Sequence, residues 1–231
     1  LFGVQAELLI DHAWGWEPCT IAAIKDYRPK SSSLSSGQVL PEPYPHEKAR
    51  LIVREMADQL SLELVEKGLV CSQFVLDIGY DAENLSAPAQ QRSYHGLTKT
   101  DRYGRAVPAA AHGSANLSVP ASSARILMQA AAEVFDRIAD SRLSVRRVTV
   151  TAAGLLGQEE AQLVGGDQLD FFGNYAAHQQ QKAELERELS GQQAIVALRK
   201  KYGKNAVLRG MDLQEGATTK NRNGQIGGHK A

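Results

Sequence analysis

A short segment around residue 148 has two chemically different sides, and this constrains the fold more than any other feature of the chain. Residues 144–151 are rich in β-branched side chains and alternate with a period of two, which predicts a β-strand. Val148 and Val150 point to one side, and Arg147 and Thr149 point to the other. The valine side suits a hydrophobic core, and the arginine side suits an anionic ligand or water.

The order of the other periodic segments predicts the rest of the architecture. Strand periodicity recurs in three earlier segments, and two amphipathic helices are predicted between the strands. The resulting β-α-β-β-α-β order predicts an α+β fold, in which a four-stranded antiparallel sheet carries both helices on one face and leaves the other face open. The predicted strands are residues 33–40, 71–80, 112–119 and 144–151, and the predicted helices are 46–67 and a second one capped by Ser122 or Ser123.

Prolines and glycines mark the predicted ends of these elements. Pro41, Pro43 and Pro45 are predicted to end the first strand, and Pro120 is predicted to end the third. Residues 81–111 are predicted to form an irregular insertion, with a hairpin turn at 101–105 in which Gly104 adopts a positive φ.

The two ends of the chain are predicted to carry short helical extensions. Residues 2–27 are predicted to be helical and then looped, and residues 157–166 an acidic linker. Tyr175–Tyr202 is predicted to form a polar surface helix with a narrow apolar stripe, and residues 203–231 a flexible basic tail. The predicted domains are therefore 1–29, 30–156 and 157–231.

Charge and cysteine content set broad limits on function. The formal net charge is zero, which by itself argues against a nucleic-acid binder. From residue 191 onward, however, eight basic residues face two acidic ones, which allows a local basic surface. Two cysteines are too few for a disulfide framework, so a reducing, cytoplasmic setting is expected. No apolar run is long enough for a transmembrane helix, and the leading leucine suggests a fragment or a trimmed chain.

The sequence contains no convincing catalytic motif. The six histidines are scattered without metal-ligand spacing, and no phosphate-binding glycine loop is present. Asp77 stands alone on its strand, so no carboxylate pair for two-metal chemistry is predicted. A binding function is then the remaining class, because an open face of Ser, Thr, Gln and Arg can contact phosphates in a nucleic-acid groove. The same pattern also suits a solvated face or a face that packs on a partner protein.

The serine-rich run from Lys30 to Gln38, followed by this order of elements, resembles the little-finger domain of Y-family DNA polymerases, and most closely the UmuC/DinB-like repair polymerases of bacteria. The resemblance extends over essentially the whole chain. Further segments that carry it are residues 11–15, 101–105, 111–114, 122–123, 145–148, 199–206 and 223–230.

The resemblance implies that this chain is a C-terminal fragment, with the end of the thumb at residues 2–27 followed by the little finger and a tail. The palm, which holds the catalytic carboxylates and Mg²⁺, and the fingers are not represented. The fragment is therefore expected to need no cofactor and to perform no catalysis. Its parent is expected to copy damaged DNA in the bacterial cytoplasm, at the nucleoid, while the fragment, as a monomer, grips template and primer.

The resemblance also implies a set of residues that contact DNA phosphates. Alternation makes Arg147 the better candidate of the two adjacent arginines, because Arg146 shares its side with Val148. Arg146 is therefore expected either to project at the sheet end or to be structural. The implied DNA-binding residues are Lys30, Ser31, Ser35, Ser36, Arg102, Arg105, His112, Ser114, Arg146 and Arg147.

A second implied partner is the sliding clamp. The segment formed by Gln168, Leu169, Asp170, Phe171 and Phe172 resembles the pentapeptide by which bacterial polymerases dock on the clamp. The glutamine can hydrogen-bond, while the leucine and the aromatic pair can fill an apolar pocket. Phe171 departs from the usual leucine at the fourth position. The alternative is a local latch onto the protein's own surface.

Two other functions remain open at this point. The chain could be a non-catalytic interaction protein that regulates a polymerase–clamp assembly, which the zero net charge favours. It could also be an unrelated RNA-binding module, which would need exposed aromatic side chains on the central strands. Phe74 and Tyr80 share the side of Leu76 and Ile78, so they are predicted to be buried instead.

Overall fold

The computed structural model divides the chain into two compact units, Leu1–Ser32 and Ser33–Ala231. It describes residues 5–27, 33–86, 94–101, 103–164, 175–226 and 229–230. In those ranges, none of the helices combines the length and apolar character that a membrane crossing requires.

The described residues of the first unit form two short helices. Helix α1 spans Gln5–Ala13 and helix α2 spans Ile21–Asp26. The Oγ1 of Thr20 accepts a hydrogen bond from the backbone N–H of Ala23 at 3.1 Å, which caps the start of α2. The sequence predicted a loop where α2 forms, and this short helix was missed because it carries no long apolar stripe.

The second unit is built on the predicted sheet, and the fold class is confirmed. The four strands lie in the order β1-β6-β2-β5, and every neighbouring pair is antiparallel. Helices α3 and α4 pack on one face of this sheet. The main elements are β1 (Ser33–Tyr44), α3 (His46–Glu66), β2 (Leu69–Tyr80), β5 (Ala111–Ala121), α4 (Ala124–Ile138) and β6 (Val145–Gly157).

The core lies between the sheet and the two helices. Alternate residues of β2 and β6 are fully buried, as their period of two predicted, and so are the apolar stripes of α3 and α4. Burial of each large aliphatic or aromatic side chain contributes about 1.5–3 kcal/mol. The largest buried side chains include Phe74, Leu76, Ile78, Ile52, Met56, Leu60, Leu127 and Phe135.

Pro41, Pro43 and Pro120 do not end their strands, so this part of the prediction was wrong, whereas Pro45 directly follows the end of β1. Strand β1 continues through Pro41 and Pro43 to Tyr44, and β5 continues through Pro120 to Ala121. Both are edge strands, where a residue without a backbone N–H can face away from the ladder. Pro41, Pro43 and Pro120 also lie where the register is irregular, between Val39 and Tyr44 in β1 and opposite residues 71–73 in β5.

The insertion after β2 contains more regular structure than predicted. A 3₁₀-helix at Ala82–Leu85 is followed by the hairpin of β3 (Thr98–Thr100) and β4 (Ala106–Pro108). The predicted turn is confirmed, because the N–H of Gly104 donates to the carbonyl of Asp101 at 3.0 Å and Gly104 has a φ of 77°. The Asp101 carboxylate accepts from the backbone of Tyr103 and Arg105, which closes the tip.

The chain after β6 returns to the helical layer. The predicted linker is instead helix α5 (Gln158–Val164) over most of its length. Helix α6 (Tyr175–Tyr202) packs on α3, and its Gln192 is 2% exposed and donates to the Oγ of Ser61 and the carbonyl of Ser122. The elements that follow are a 3₁₀-helix at Gly210–Leu213, α7 (Thr219–Arg222), β7 (Gln225–Ile226) and β8 (His229–Lys230).

Candidate nucleic-acid interface

The open face of the sheet is arranged in rows that run across the strands. The register aligns Ser35 of β1 with Thr151 of β6, Val75 of β2 and Ser114 of β5. The next row contains Gly37, Thr149, Asp77 and His112, and the row after it contains Val39, Arg147 and Gly79. Because side chains alternate, these residues all point away from α3 and α4. The sheet therefore presents hydroxyl groups in its middle and a guanidinium near one end.

Several polar side chains on this face pair with their neighbours across strands. The Thr151 hydroxyl donates to the Oγ of Ser35 at 2.9 Å. The His112 Nδ1 lies 2.7 Å from the Oδ1 of Asp77, and both side chains remain about half exposed. These pairs fix the orientation of the polar groups, while their remaining donors and acceptors stay available to a ligand.

Arg147 is the most prominent cation of the open face. It is exposed, and within the described ranges it forms no ion pair or hydrogen bond. Its neighbour across the β2 ladder is Gly79, where even a single Cβ would come within 3.2 Å of the Cβ of Arg147. Because Gly79 has no side chain, the guanidinium of Arg147 has room to move, and a ligand backbone can approach the sheet closely beside it.

Arg146 faces a different direction from the one alternation implies. Gly79 pairs with Arg147 while Tyr80 pairs with Val145, so Arg146 is the extra residue of a β-bulge. Its Nε lies 3.5 Å from the Oδ2 of Asp81, whose side chain is 15% exposed. The bulge explains why Val145, Val148 and Val150 are all buried although their positions differ in parity. Arg146 therefore lies near the start of β6, beside Asp81 and outside the hydrophobic core.

The structure brings three of the other predicted residues to the open face and places two elsewhere. Ser35, Ser114 and His112 share the open face with Arg147, whereas Ser36 lies on the opposite face and accepts a hydrogen bond from Arg222 at 2.6 Å. Arg105 lies at the hairpin tip, where its Nε donates to the Oδ2 of Asp101 at 2.8 Å. Lys30, Ser31, Arg102 and the predicted clamp segment Gln168, Leu169, Asp170, Phe171 and Phe172 lie outside the residues that the structure describes.

The basic tail docks on α3, which the sequence did not predict. Glu55 and Asp58 on α3 are each 1% exposed because the tail covers them. Glu55 accepts from the backbone N–H of Thr218 at 2.9 Å, and the Nε of Arg209 donates to Asp58 at 2.6 Å. The described part of the predicted flexible tail therefore has a defined position. The sequence feature that could have indicated this docking is the pair Glu55 and Asp58, two acidic residues three positions apart beside the apolar stripe of α3.

Burial controls the ionisation of these two carboxyl groups. Burial raises the pKa of Glu55, although hydrogen bonds from Thr218 and Thr219 act in the opposite direction. Burial also raises the pKa of Asp58, although Arg209 opposes the shift. The Oδ2 of Asp58 is buried and lacks a hydrogen-bond partner in the part of the chain that the structure describes. Ionisation of these groups therefore opposes the docking of the tail.

A basic cleft forms where the tail approaches the edge of the sheet. Its volume is about 1170 Å³, and its walls come from β1, α3, β6, α6 and residues 204–225. Six basic and two acidic side chains line it. The basic residues are Lys67, Arg147, Arg199, Lys200, Lys204 and Arg222. We call this feature the edge cleft.

Across the described ranges, no three carboxylate, histidine or cysteine side chains converge into a group that could hold a metal ion. The described residues of the open face present hydroxyl groups and an arginine, an arrangement that suits binding to anionic groups.

These observations define an α+β binding domain with a one-sided antiparallel sheet. The sequence matches the model of the impB/mucB/samB family C-terminal domain over residues 31–170. The match covers more than half of the 231 residues, and the chain belongs to this family. The resemblance to the C-terminal part of a UmuC-like Y-family protein is thereby confirmed.

This chain also matches solved structures. One that matches is a post-insertion binary complex of Dbh DNA polymerase, at 11% sequence identity and a TM-score of 0.31. The match covers 66% of this chain and 36% of the polymerase chain, so the present chain spans about a third of that protein. No curated protein matches the sequence.

Proposed function

We propose that this chain is the DNA-gripping and clamp-docking part of a translesion DNA polymerase that acts in DNA damage tolerance. Membership of the impB/mucB/samB family supports the polymerase context. The parent protein would supply the palm, its carboxylates and Mg²⁺, and this part would contribute grip rather than chemistry. The observation that carries the proposal is the open sheet face, with its rows of hydroxyl groups and the exposed Arg147.

The face suits the backbone of DNA better than the edges of its bases. Hydroxyl groups of Ser35 and Thr149 can donate to phosphate oxygens, and Arg147 can neutralise one phosphate. The central strands bury their aromatic side chains, because Phe74 is 0% and Tyr80 is 9% exposed. Base stacking of the kind that RNA-binding sheets use therefore lacks a platform on these strands. The expected binding is independent of sequence and sensitive to salt.

Fluorescence anisotropy with a primer–template at several salt concentrations tests the grip. Arg147→Ala is expected to weaken binding about tenfold at low salt and to lower the salt slope by about one. Arg146→Ala should leave the slope unchanged, because that arginine pairs with Asp81. Arg187→Ala, an exposed arginine on α6, is the control for loss of charge. Absence of DNA binding at low salt would favour the alternative of a regulatory interaction protein.

Clamp docking rests on the sequence of the Gln168–Phe172 segment alone. Phe171→Ala with Phe172→Ala is expected to abolish capture of the chain by the immobilised sliding clamp, because the aromatic pair would fill its apolar pocket. Leu198→Ala removes an exposed apolar side chain outside the motif and should not affect capture. Undiminished capture of the double variant would exclude this role of the segment.

A further inference from the structure

The edge cleft continues from the open face of the sheet around β1 to the helical side. Gly37 and Val39 of β1 line it together with Ser36 and Gln38, although these two pairs point to opposite faces. The cleft also includes Arg147 and therefore begins at the cation of the open face. Because β1 is an edge strand, its outer backbone groups have no partner strand and face this space.

The open face by itself carries little positive charge. In its described rows, Arg147 is the only arginine or lysine, and Asp77 opposes it. Nucleic-acid affinity depends mainly on the number of phosphates that basic residues neutralise. The edge cleft adds five more basic side chains to Arg147. The charge that a DNA-gripping domain needs is therefore concentrated at the edge of the sheet.

The charges within the edge cleft are not cancelled by its acids. Glu63 pairs with Lys67 at 2.9 Å, and Glu66 pairs with Lys200 at 3.1 Å, both at exposed positions where such pairs contribute little. Lys204 is exposed and forms no ion pair within the described part of the chain. A phosphate could therefore displace the two pairs and bind Lys204 at little cost.

The tail determines the shape of the edge cleft. Arg222 is anchored by its bond to Ser36, and its pKa is lowered by burial, so it forms the floor rather than a mobile arm. Arg199 donates to the carbonyl of Val207 at 2.8 Å and to Gln59 at 2.9 Å, which holds the end of α6 against the tail. Two further cations of the lining are exposed, namely Lys200 at the end of α6 and Lys204 in the tail.

We infer that the edge cleft binds the phosphate backbone of a single-stranded nucleic-acid segment that leaves the open face around β1. The inference rests on the proposed function of that face. Duplex DNA is stiff over about 50 nm and cannot turn around a strand edge, whereas a single strand can. Among the described residues, the lining contains no aromatic side chain, so the strand is held by its phosphates and not by stacked bases.

The experiment compares two DNA probes, a blunt duplex and the same duplex with a short oligo-dT extension. The intact chain should bind the extended probe more tightly. Lys200→Ala with Lys204→Ala should remove this gain in affinity, which is expected to be about tenfold at low salt. The double variant should also lower the salt slope by about 0.7 for each lost contact. Lys182→Ala with Lys201→Ala removes two exposed lysines that do not line the edge cleft, and it should bind both probes like the intact chain.

The outcomes separate this inference from the proposed function. If the edge-cleft variant binds both probes like its control while Arg147→Ala weakens binding, the sheet face stands and the edge cleft does not bind a strand. If the edge-cleft variant weakens binding to the extended probe and Arg147→Ala does not, the edge cleft is supported as a strand-binding site, and the sheet face is excluded as the DNA-gripping surface. Tripolyphosphate serves as a third probe. If the edge-cleft variant loses only its affinity for tripolyphosphate, and the oligo-dT extension has no effect on binding, the single strand is excluded as the ligand.

Discussion

The Nε of Arg209 lies 2.6 Å from the Oδ1 of Asp58, which is 151 positions away in the chain. Asp58 is buried on α3, whereas the side chain of Arg209 is 37% exposed. Burial nevertheless raises the pKa of Asp58, so the attraction of Arg209 does not fully offset the loss of water around the carboxylate. The ion pair thus holds the tail in place mainly because a buried Asp58 carboxylate without Arg209 would destabilise the folded chain more.

Arg209→Met should release the tail from α3. The substitution leaves a buried carboxylate without its positive partner, and a loss of about 2–3 kcal/mol is expected because Arg209 is only partly buried. Hydrogen exchange of residues 203–225 and urea denaturation measure the effect. Adding Asp58→Asn removes the buried charge and should restore most of the lost stability. A double variant as unstable as Arg209→Met alone would contradict this explanation.

Glu55 should make stability depend on pH in the direction opposite to most acids. Its pKa is raised in the folded chain by burial, so the native state holds this proton to higher pH than the unfolded state does. The free energy of unfolding therefore falls as pH rises from the ordinary carboxyl range to the raised native value, and it is constant above that value.

The variant Glu55→Gln isolates this contribution. The amide oxygen can still accept from the N–H of Thr218, and no charge is buried. The difference in unfolding free energy between variant and parent should grow in favour of the variant from about pH 4 to neutral pH. Urea denaturation across this range provides the measurement, and a difference independent of pH would refute the role of burial at Glu55.

The two cysteines should differ strongly in reactivity. Burial raises the pKa of Cys71 to about 11, whereas Cys19 is exposed. Because the thiolate is the reactive form, a disulfide reagent at neutral pH should label Cys19 quickly and Cys71 only after unfolding. In a Cys19→Ser chain, the rate of labelling should follow the rate of unfolding. Equal, rapid labelling of both thiols in the native chain would show that β2 opens readily at Cys71.

Gly154→Ala should destabilise the sheet near the end of β6. Gly154 has a φ of 60°, a conformation that costs other residues about 1–2 kcal/mol. An added Cβ would also collide with the Oγ of Ser72 on the neighbouring strand. Ser72→Ala in the same chain should remove the collision and leave the backbone cost, together with the loss of the hydrogen bond that the Ser72 Oγ donates to the Gly154 carbonyl at 3.3 Å, which the Ser72→Ala single variant measures. Thermal denaturation of the single and double variants separates the two contributions, and equal melting temperatures would show that the collision relaxes without cost.

Local periodicity predicted those parts of the structure that depend on neighbouring residues in the chain. The alternation of Phe74, Leu76 and Ile78 defines one buried side of β2, and the stripe of α3 from Ile52 to Leu60 defines one buried side of a helix. Such patterns survive in the fold because each element buries a single face. The order of the elements then limits the sheet to very few arrangements.

The candidate site was predicted less completely, since two of its features depend on distant residues. Alternation placed Arg147 on the open face, but it could not reveal the bulge that turns Arg146 toward Asp81. Serine spacing did not show that Ser36 faces Arg222, because that contact joins residues 186 positions apart. The edge cleft was missed for the same reason.

The sequence by itself determined the four-stranded sheet, its two covering helices and the sides on which Val148 and Arg147 lie, because hydrophobic burial follows the period of each element. Only the tertiary structure decided where the basic tail goes. That choice depends on the buried carboxylates Glu55 and Asp58, which must find hydrogen bonds from Thr218 and Arg209 once water is excluded. The edge cleft exists because this docking brings the basic residues of the tail to the open edge of β1.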